Sequence, residues 1–240
     1  DTFTLPEAAV AAVVRRVEIV NNAAETRALQ IVDGLPQVLP WGLNQWAVKF
    51  MSRTSEAFMG VEGVEEQLPF YRLKVWPTDS PRVERVIAGN FFAGFLDGKR
   101  NAVLVDPERL FGSAGDLSRP ERFSARARLD LAGQVTANQT PAAFQVLDLV
   151  LEPGERRVFH GLYGHAATRE ALLRFVADAA TPDYFETARD ANRRLIAGIT
   201  RRVFTVTARP RFDAHVRQCY LDNGMRGGFP TAVPGGAQLY

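Results

Sequence analysis

After an alanine–valine run near its start, the chain alternates apolar and polar residues with a period of two, and from Thr168 onward a helical period takes over. In V-R-R-V-E-I-V, Val14, Val17 and Ile19 sit among charged residues. N-N-A-A-E-T follows as a turn, and A-L-Q-I-V-D-G-L-P reads as the returning strand. These segments predict a β-hairpin whose turn is longer than two residues. The alanine–valine run itself reads as a short helix or as a loop leading into the strand. L-P-Q-V-L-P-W-G-L-N-Q-W, punctuated by Pro36, Pro40 and Gly42, predicts a loop carrying two tryptophans. Between Gln45 and Phe58 the apolar residues fit neither period, which predicts a short helix running into a strand. P-F-Y-R-L-K-V-W and V-E-R-V-I-A-G-N-F-F-A-G-F-L-D-G, rich in aromatic and β-branched residues, predict further strands. Asp106 to Thr140 is polar, holds Gly112, Gly115 and Pro120, and reads as a long surface excursion with one helical turn.

A-A-F-Q-V-L-D-L-V-L, then E-P-G-E, then R-R-V-F-H-G-L-Y-G-H predicts a second hairpin around a Pro-Gly turn, where proline presets φ and glycine accepts a positive one. Thr168 is a candidate N-cap, with Ala171, Leu172, Phe175 and Val176 on one helix face. Thr181-Pro182 opens a second helix through Leu195 and Ile196, and a third begins at Phe212. Strands followed by helices imply a β-sandwich and then a helical section. The closing G-G-A-Q-L-Y reads as a strand or loop with nothing to pair against, and the last helix lacks a partner for its apolar face. Both features read as a piece of a longer protein.

Composition narrows the chemistry. Lys and Arg outnumber Asp and Glu by only 29 to 27, so charge gives no reason to expect nucleic acid or a membrane as partner. The absence of a long apolar run or a leader-like start reads as soluble and cytoplasmic. The single cysteine, Cys219, rules out an intrachain disulfide and a cysteine-based metal site, and reads as a buried small hydrophobe. His160, His165 and His215 lack H-E-x-x-H spacing, and no metal or organic cofactor is expected.

Three features stand above background. Trp41, Asn44, Gln45, Trp46 and Arg53 gather aromatic surface and amide donors in one loop, the mixture that sugars need, although the tryptophans equally suit capping the sheet core. In D-N-G-M-R-G-G-F-P, Arg226 could face an anionic or polyol ligand, or the segment could be a plain helix end. His165, with Tyr163, ends a strand and reads mainly as a hydrogen-bonded surface group. Asp148, Glu152, Asp183, Asp190 and Asp222 are all available, but no pair has an apolar setting that marks a catalytic acid.

V-E-I-V-N-N-A-A-E-T-R-A-L-Q-I-V-D-G-L-P-Q-V-L-P-W-G-L-N-Q-W resembles the sandwich hairpin of glycoside phosphorylases related to cellobiose phosphorylase, nearest the branch acting on β-1,3-oligoglucans. L-E-P-G-E-R-R-V-F-H-G-L-Y-G-H-A is similar to their last sandwich hairpin. F-T-V-T-A-R-P-R-F-D-A-H-V-R-Q-C-Y-L-D-N-G-M-R-G-G-F-P is similar to the start of their (α/α)6 barrel. The resemblance implies a galactose-mutarotase-like antiparallel β-sandwich over 1–167, a helical linker over 168–200 and the start of the barrel over 201–240. It implies a parent enzyme that cleaves β-glucosides by inverting phosphorolysis, with inorganic phosphate as co-substrate and a sugar 1-phosphate as product. The carboxylic acid that protonates the leaving oxygen lies in the barrel beyond this sequence, so no catalytic residue is expected here. The implied partners are a β-glucan oligosaccharide, the remainder of the parent enzyme and a second copy in a homodimer. Trp41 to Arg53, then Arg226, are the expected substrate contacts. A stand-alone carbohydrate-binding or interaction module, or part of a related hydrolase or transglycosylase, is the alternative.

Overall fold

A computed structural model describes residues 1–6, 8–78, 80–113, 116–123, 128–179, 181–202, 205–228, 231–232 and 238–239. The chain divides into two compact units, Asp1–Phe185 and Glu186–Tyr240. The first is mainly antiparallel β-structure. Its strands are β1 Thr2–Thr4, β2 Ala11–Val20, β3 Arg27–Leu35, β4 Met59–Glu62, β5 Phe70–Leu73, β6 Gly89–Leu96, β7 Lys99–Arg100, β8 Ala102–Leu104, β9 Ala143–Leu151 and β10 Arg156–Ala166. The larger sheet runs β1-β2-β10-β6-β5-β4, with β7 paired to β6, and the smaller runs β3-β9-β8.

The two sheets pack face to face. One buried cluster joins Tyr71 and Phe92 of the larger sheet to Val103 and Ala143 of the smaller side, and a second joins Phe159 to Leu147, Leu149 and Leu151. The segment between β8 and β9, which contains the short helix α1 Glu108–Phe111, forms a further layer. Leu110 and Phe111 pack with Phe144 and Val146 on the outer face of the smaller sheet. This segment is therefore more than the polar surface excursion its composition suggests. β9 is apolar on both faces, and something must cover the second one. Asp106 fastens the cover: its buried carboxylate accepts N–H bonds from Glu108, Val135 and the Gln139 amide at 3.0 to 3.2 Å. On the outer face of the larger sheet, Phe175 of helix α2 (Arg169–Ala179) packs on Phe91, and Phe185 of α3 (Pro182–Thr200) on Phe95 and His160. Thr168 caps α2 as expected, accepting the Ala171 N–H at 3.1 Å.

Neither expected hairpin forms. β2 pairs with β1 and β10, whereas β3 pairs with β9, so the chain crosses from one sheet to the other between residues 20 and 27. It crosses back between β9 and β10. A turn sequence reports that the chain reverses, and Gly154 does take the positive φ of 76°. It does not report whether the reversal stays within one sheet. The two arches are laid side by side and tied by Asn21, which is 6% exposed. Its amide donates to the carbonyls of Glu25 and Leu151, each at 2.9 Å, and accepts the Ala23 N–H at 3.0 Å. Its backbone exchanges bonds with the other arch, through Glu155 O at 3.0 Å and the Gly154 N–H at 2.9 Å.

Smaller expectations resolve locally. The alanine–valine run is extended from Ala11 on, and the strand sought from residue 83 starts only at Gly89. Trp46 leads into a π-helical turn, Ala47–Met51, and a 3-10 turn, Ser52–Phe58, before β4. In the second unit, α4 spans Pro210–Gly227, and β11 Thr231–Ala232 pairs with β12 Gln238–Leu239, so the closing segment does find a partner. Residues 114–115 (with Gly115), 124–127, 203–204, 229–230, 233–237 and 240 of the segments read from sequence lie outside the described residues. Cys219 is exposed, not buried, with Sγ 3.4 Å from His215 Nε2 one turn away. Among the described residues no helix is long and apolar enough to cross a membrane.

Two outcomes test the arches. Asn21→Ala strands the buried Leu151 carbonyl and should lower unfolding free energy by about 2–3 kcal/mol in urea titration. Glu155 accepts the Glu152 N–H at 2.8 Å, and that bond, with Arg157 beside it, holds its carboxyl below the ordinary glutamate value of 4.5. Its stabilisation is thus present above pH 4.5 and lost as pH falls through the lower folded-state value. Glu155→Gln should be less stable than wild type at neutral pH, with the gap in melting temperature closing in acid.

Candidate functional site

The arches close one end of the sheet pair; the opposite end stays open. There the start of β2, the end of β3, the start of β9 and the end of β10 border a cleft of about 590 Å³ lined by Val13, Leu35, Asn90, Ala143, Tyr163 and His165. Its wall is largely apolar. Trp41 packs against two of these residues: its backbone N–H donates to Asn90 Oδ1 at 2.6 Å, and its ring lies 5.3 Å from that of His165, tilted 47°. Trp76 meets Trp41 edge-on at 5.5 Å. Trp41 nevertheless remains 44% exposed, so part of an indole in contact with two other rings still meets solvent.

Two polar atoms at the cleft stand out. His165 Nε2 and Tyr163 Oη are buried and have no hydrogen-bond partner among the described residues. His165 is thus not the hydrogen-bonded surface group its place at a strand end suggests. Burial raises the Tyr163 phenol well above its ordinary value, and the charge of Asp33 adds to the effect. Tyr71 is raised in the same way by burial, with Tyr163 as the second cause, and donates to the Ala142 carbonyl at 3.0 Å. Both phenols therefore stay protonated at neutral pH and can act only as neutral donors or acceptors.

Behind Tyr163 the sheets enclose a polar chain. Arg15 Nε lies 2.9 Å from Asp33, Asp33 accepts from the Gln145 amide at 3.3 Å, and Gln145 Oε1 accepts from Asn101 at 2.7 Å. Gln145 is fully buried, and glycine at 94 makes room for it, since a Cβ there would stand 2.4 Å from its Oε1. Asp33 is matched by Arg15, so this network supplies no unpaired acid. Its members hold one another in place.

Of the six residues expected at a substrate site, the five in the first unit do not converge. Trp41 packs against two residues of the cleft wall, Asn90 and His165. Asn44 accepts the Ala47 N–H at 2.8 Å and so shapes the following turn. Gln45 and Trp46 line a separate shallow concavity of about 490 Å³, where Trp46 meets Phe50 at 5.8 Å. Arg53 borders a third, polar pocket of about 560 Å³ with Asn138 and Glu56, its partner at 3.5 Å. Arg226 lies on α4 in the other unit, 3.0 Å from Asp222. Asn90 and Trp76 were missed: both sit in strand-like stretches, and neither carries a local mark of its contact with Trp41. Among the described residues no group of three or more His, Cys, Asp or Glu side chains is placed to hold a metal ion.

Compared with models of known protein families and with curated proteins, the chain matches none. What is established is the coarse class: mainly antiparallel sheets followed by helices, with a largely apolar cleft at one end of the sheets.

The two tryptophans should separate in stability measurements. Trp41→Ala loses two ring pairs and should cost about 1–3 kcal/mol. Trp46→Ala, at a position 58% exposed, should cost no more than about 1 kcal/mol in the same denaturant titration.

Proposed function

We propose that this chain is a sugar-contacting, non-catalytic portion of an inverting glycoside phosphorylase acting on β-glucan oligosaccharides in the cytoplasm. In this reading the paired sheets are the galactose-mutarotase-like sandwich, α2 and α3 the helical linker, and residues 201–240 the start of an (α/α)6 barrel. The remainder of the parent enzyme supplies the acid that protonates the glycosidic oxygen, and inorganic phosphate attacks the anomeric carbon from the opposite face. The phosphorylase part of the reading rests on the sequence resemblance.

The observation that carries the sugar part is the setting of Trp41. A pyranose presents axial C–H bonds on its flat faces and hydroxyls around its rim. A half-exposed indole braced by Trp76 and His165 offers the matching surface, and the Asn90 amide and His165 imidazole stand beside it as hydrogen-bonding groups. No carboxylate is among the described residues lining the cleft, which suits binding more than glycosidic cleavage.

Titration calorimetry with laminari- and cello-oligosaccharides tests this. Binding is expected, with Trp41→Ala weakening it at least about tenfold, as aromatic anchors dominate such contacts. Trp46→Ala, in a separate concavity, should leave affinity within about twofold. Failure of both sugar series to bind would overturn the sugar reading. Release of free glucose without sugar 1-phosphate by the full-length parent would overturn the phosphorylase part and favour a hydrolase.

A further inference from the structure

We propose that the end of α3 and the start of α4 form an arginine-rich surface for single-stranded nucleic acid. The inference rests on the second unit alone and is independent of the sugar reading.

Over the whole chain basic and acidic side chains nearly balance, 29 to 27, which hides how they are distributed. Glu186–Tyr240 holds nine arginines against four acidic side chains, so the first unit carries a small acidic excess. Within the second unit the bias is sharper. From Ala191 to Phe212 there are six arginines and no aspartate or glutamate. Arg193 and Arg194 lie in the last turns of α3 and Arg201 and Arg202 just beyond it, while Arg209 and Arg211 flank Pro210 at the start of α4. All six are exposed. Arg193 has Asp190 at 3.6 Å, but among the described residues no carboxylate lies within ion-pair reach of the other five.

A solvated charged face is ordinarily mixed in sign. The first half of α3 is so, with Arg189 paired to Glu186 at 3.2 Å and Arg193 to Asp190. Beyond Arg193 the pairing stops. Arg201 and Arg202 gain from the dipole at the end of α3, so their sign has a local reason. Arg209 and Arg211 have none: they stand at the N-terminus of an 18-residue helix, where the dipole opposes positive charge. The acid of that first turn is turned away from them, since Asp213 is 6% exposed and accepts the Thr207 N–H at 3.1 Å. Charge set against a local rule, with no partner inside the molecule, points to an anionic partner outside it.

The side chains say which anion. All nine cations of the unit are arginines, whose planar fork takes two phosphate oxygens at once. Phe212 follows Arg211 directly and is 52% exposed, a ring on which a base can stack. An acidic polypeptide would engage the guanidinium groups but offers Phe212 no flat face. A duplex keeps its bases stacked on one another. An unpaired strand supplies both contacts together, a phosphate at every nucleotide and a base with an open face.

Fluorescence anisotropy on the full chain, with a labelled oligodeoxythymidine of about 20 nucleotides, reads the surface. Micromolar binding is expected at about 20 mM salt, with log K falling against log salt at a slope of about −3 to −4 as about four to six phosphates are neutralised. Arg209→Gln with Arg211→Gln should weaken binding at least about tenfold at that salt and flatten the slope by about one. These substitutions relieve repulsion at the helix N-terminus, so the melting temperature should not fall. Phe212→Ala should weaken binding at least about fivefold and leave the slope unchanged. A chain that does not bind at about 20 mM salt overturns the proposal. So does a slope indifferent to Arg209 and Arg211, or an affinity indifferent to Phe212→Ala. Polyglutamate competing as well as the oligonucleotide at equal charge would make the partner an acidic polypeptide and overturn it too.

Discussion

Everything in the first unit depends on how the chain passes between its two sheets. A connection of six residues between β2 and β3, and one of four between β9 and β10, must turn the backbone through a region where its own polar groups are half removed from water. Asn21 solves that problem for both connections together. One buried amide satisfies the carbonyls of Glu25 and Leu151 and the N–H of Ala23, while its backbone bonds the neighbouring arch. With the arches fixed, β2, β3, β9 and β10 are fixed at one end and in register, and their far ends are left to border a cleft. The open end is a consequence of closing the other.

The same geometry explains why the interior is partly polar. Arg15, Asp33, Gln145 and Asn101 come from four separate segments and meet between the sheets, where an apolar pairing would tolerate slippage. A one-residue slip of β3 against β9 would set Val32 or Gly34 opposite Gln145 in place of Asp33 and leave Gln145 without its acceptor. Polar groups here act as a register key, and Tyr163 sits between that key and the cleft.

Much of the fold was legible from the chain. Period-two patterning located β2 and β3, apolar runs around a Pro-Gly reversal located β9 and β10, and Thr168 caps the helix it was expected to cap. Sheet membership was not legible. Val17, Ile19, Ile31 and Leu147 show the same alternation whether their strands are hydrogen-bonded neighbours or lie in facing layers, because both arrangements bury one face. The site was half legible. Trp41 was found because tryptophan in a proline-bounded loop is conspicuous, but its grouping with Trp46 and Arg53 followed sequence proximity. The structure partners Trp41 instead with Asn90, Trp76 and His165, each at least 35 positions away. Cys219 was misplaced because an amphipathic helix offers a small apolar residue two environments, and composition favours the buried one.

Backbone NOE spectroscopy on isotopically labelled chain tests the arrangement most directly. The account predicts cross-strand contacts between Val14 and Leu162 and between Ile31 and Leu147, with none pairing β2 to β3 or β9 to β10. Contacts running down from the Pro153-Gly154 turn between Leu151 and Arg156 and onward to Val150 and Arg157 would mean a true hairpin, and the closed-end, open-cleft description would be wrong.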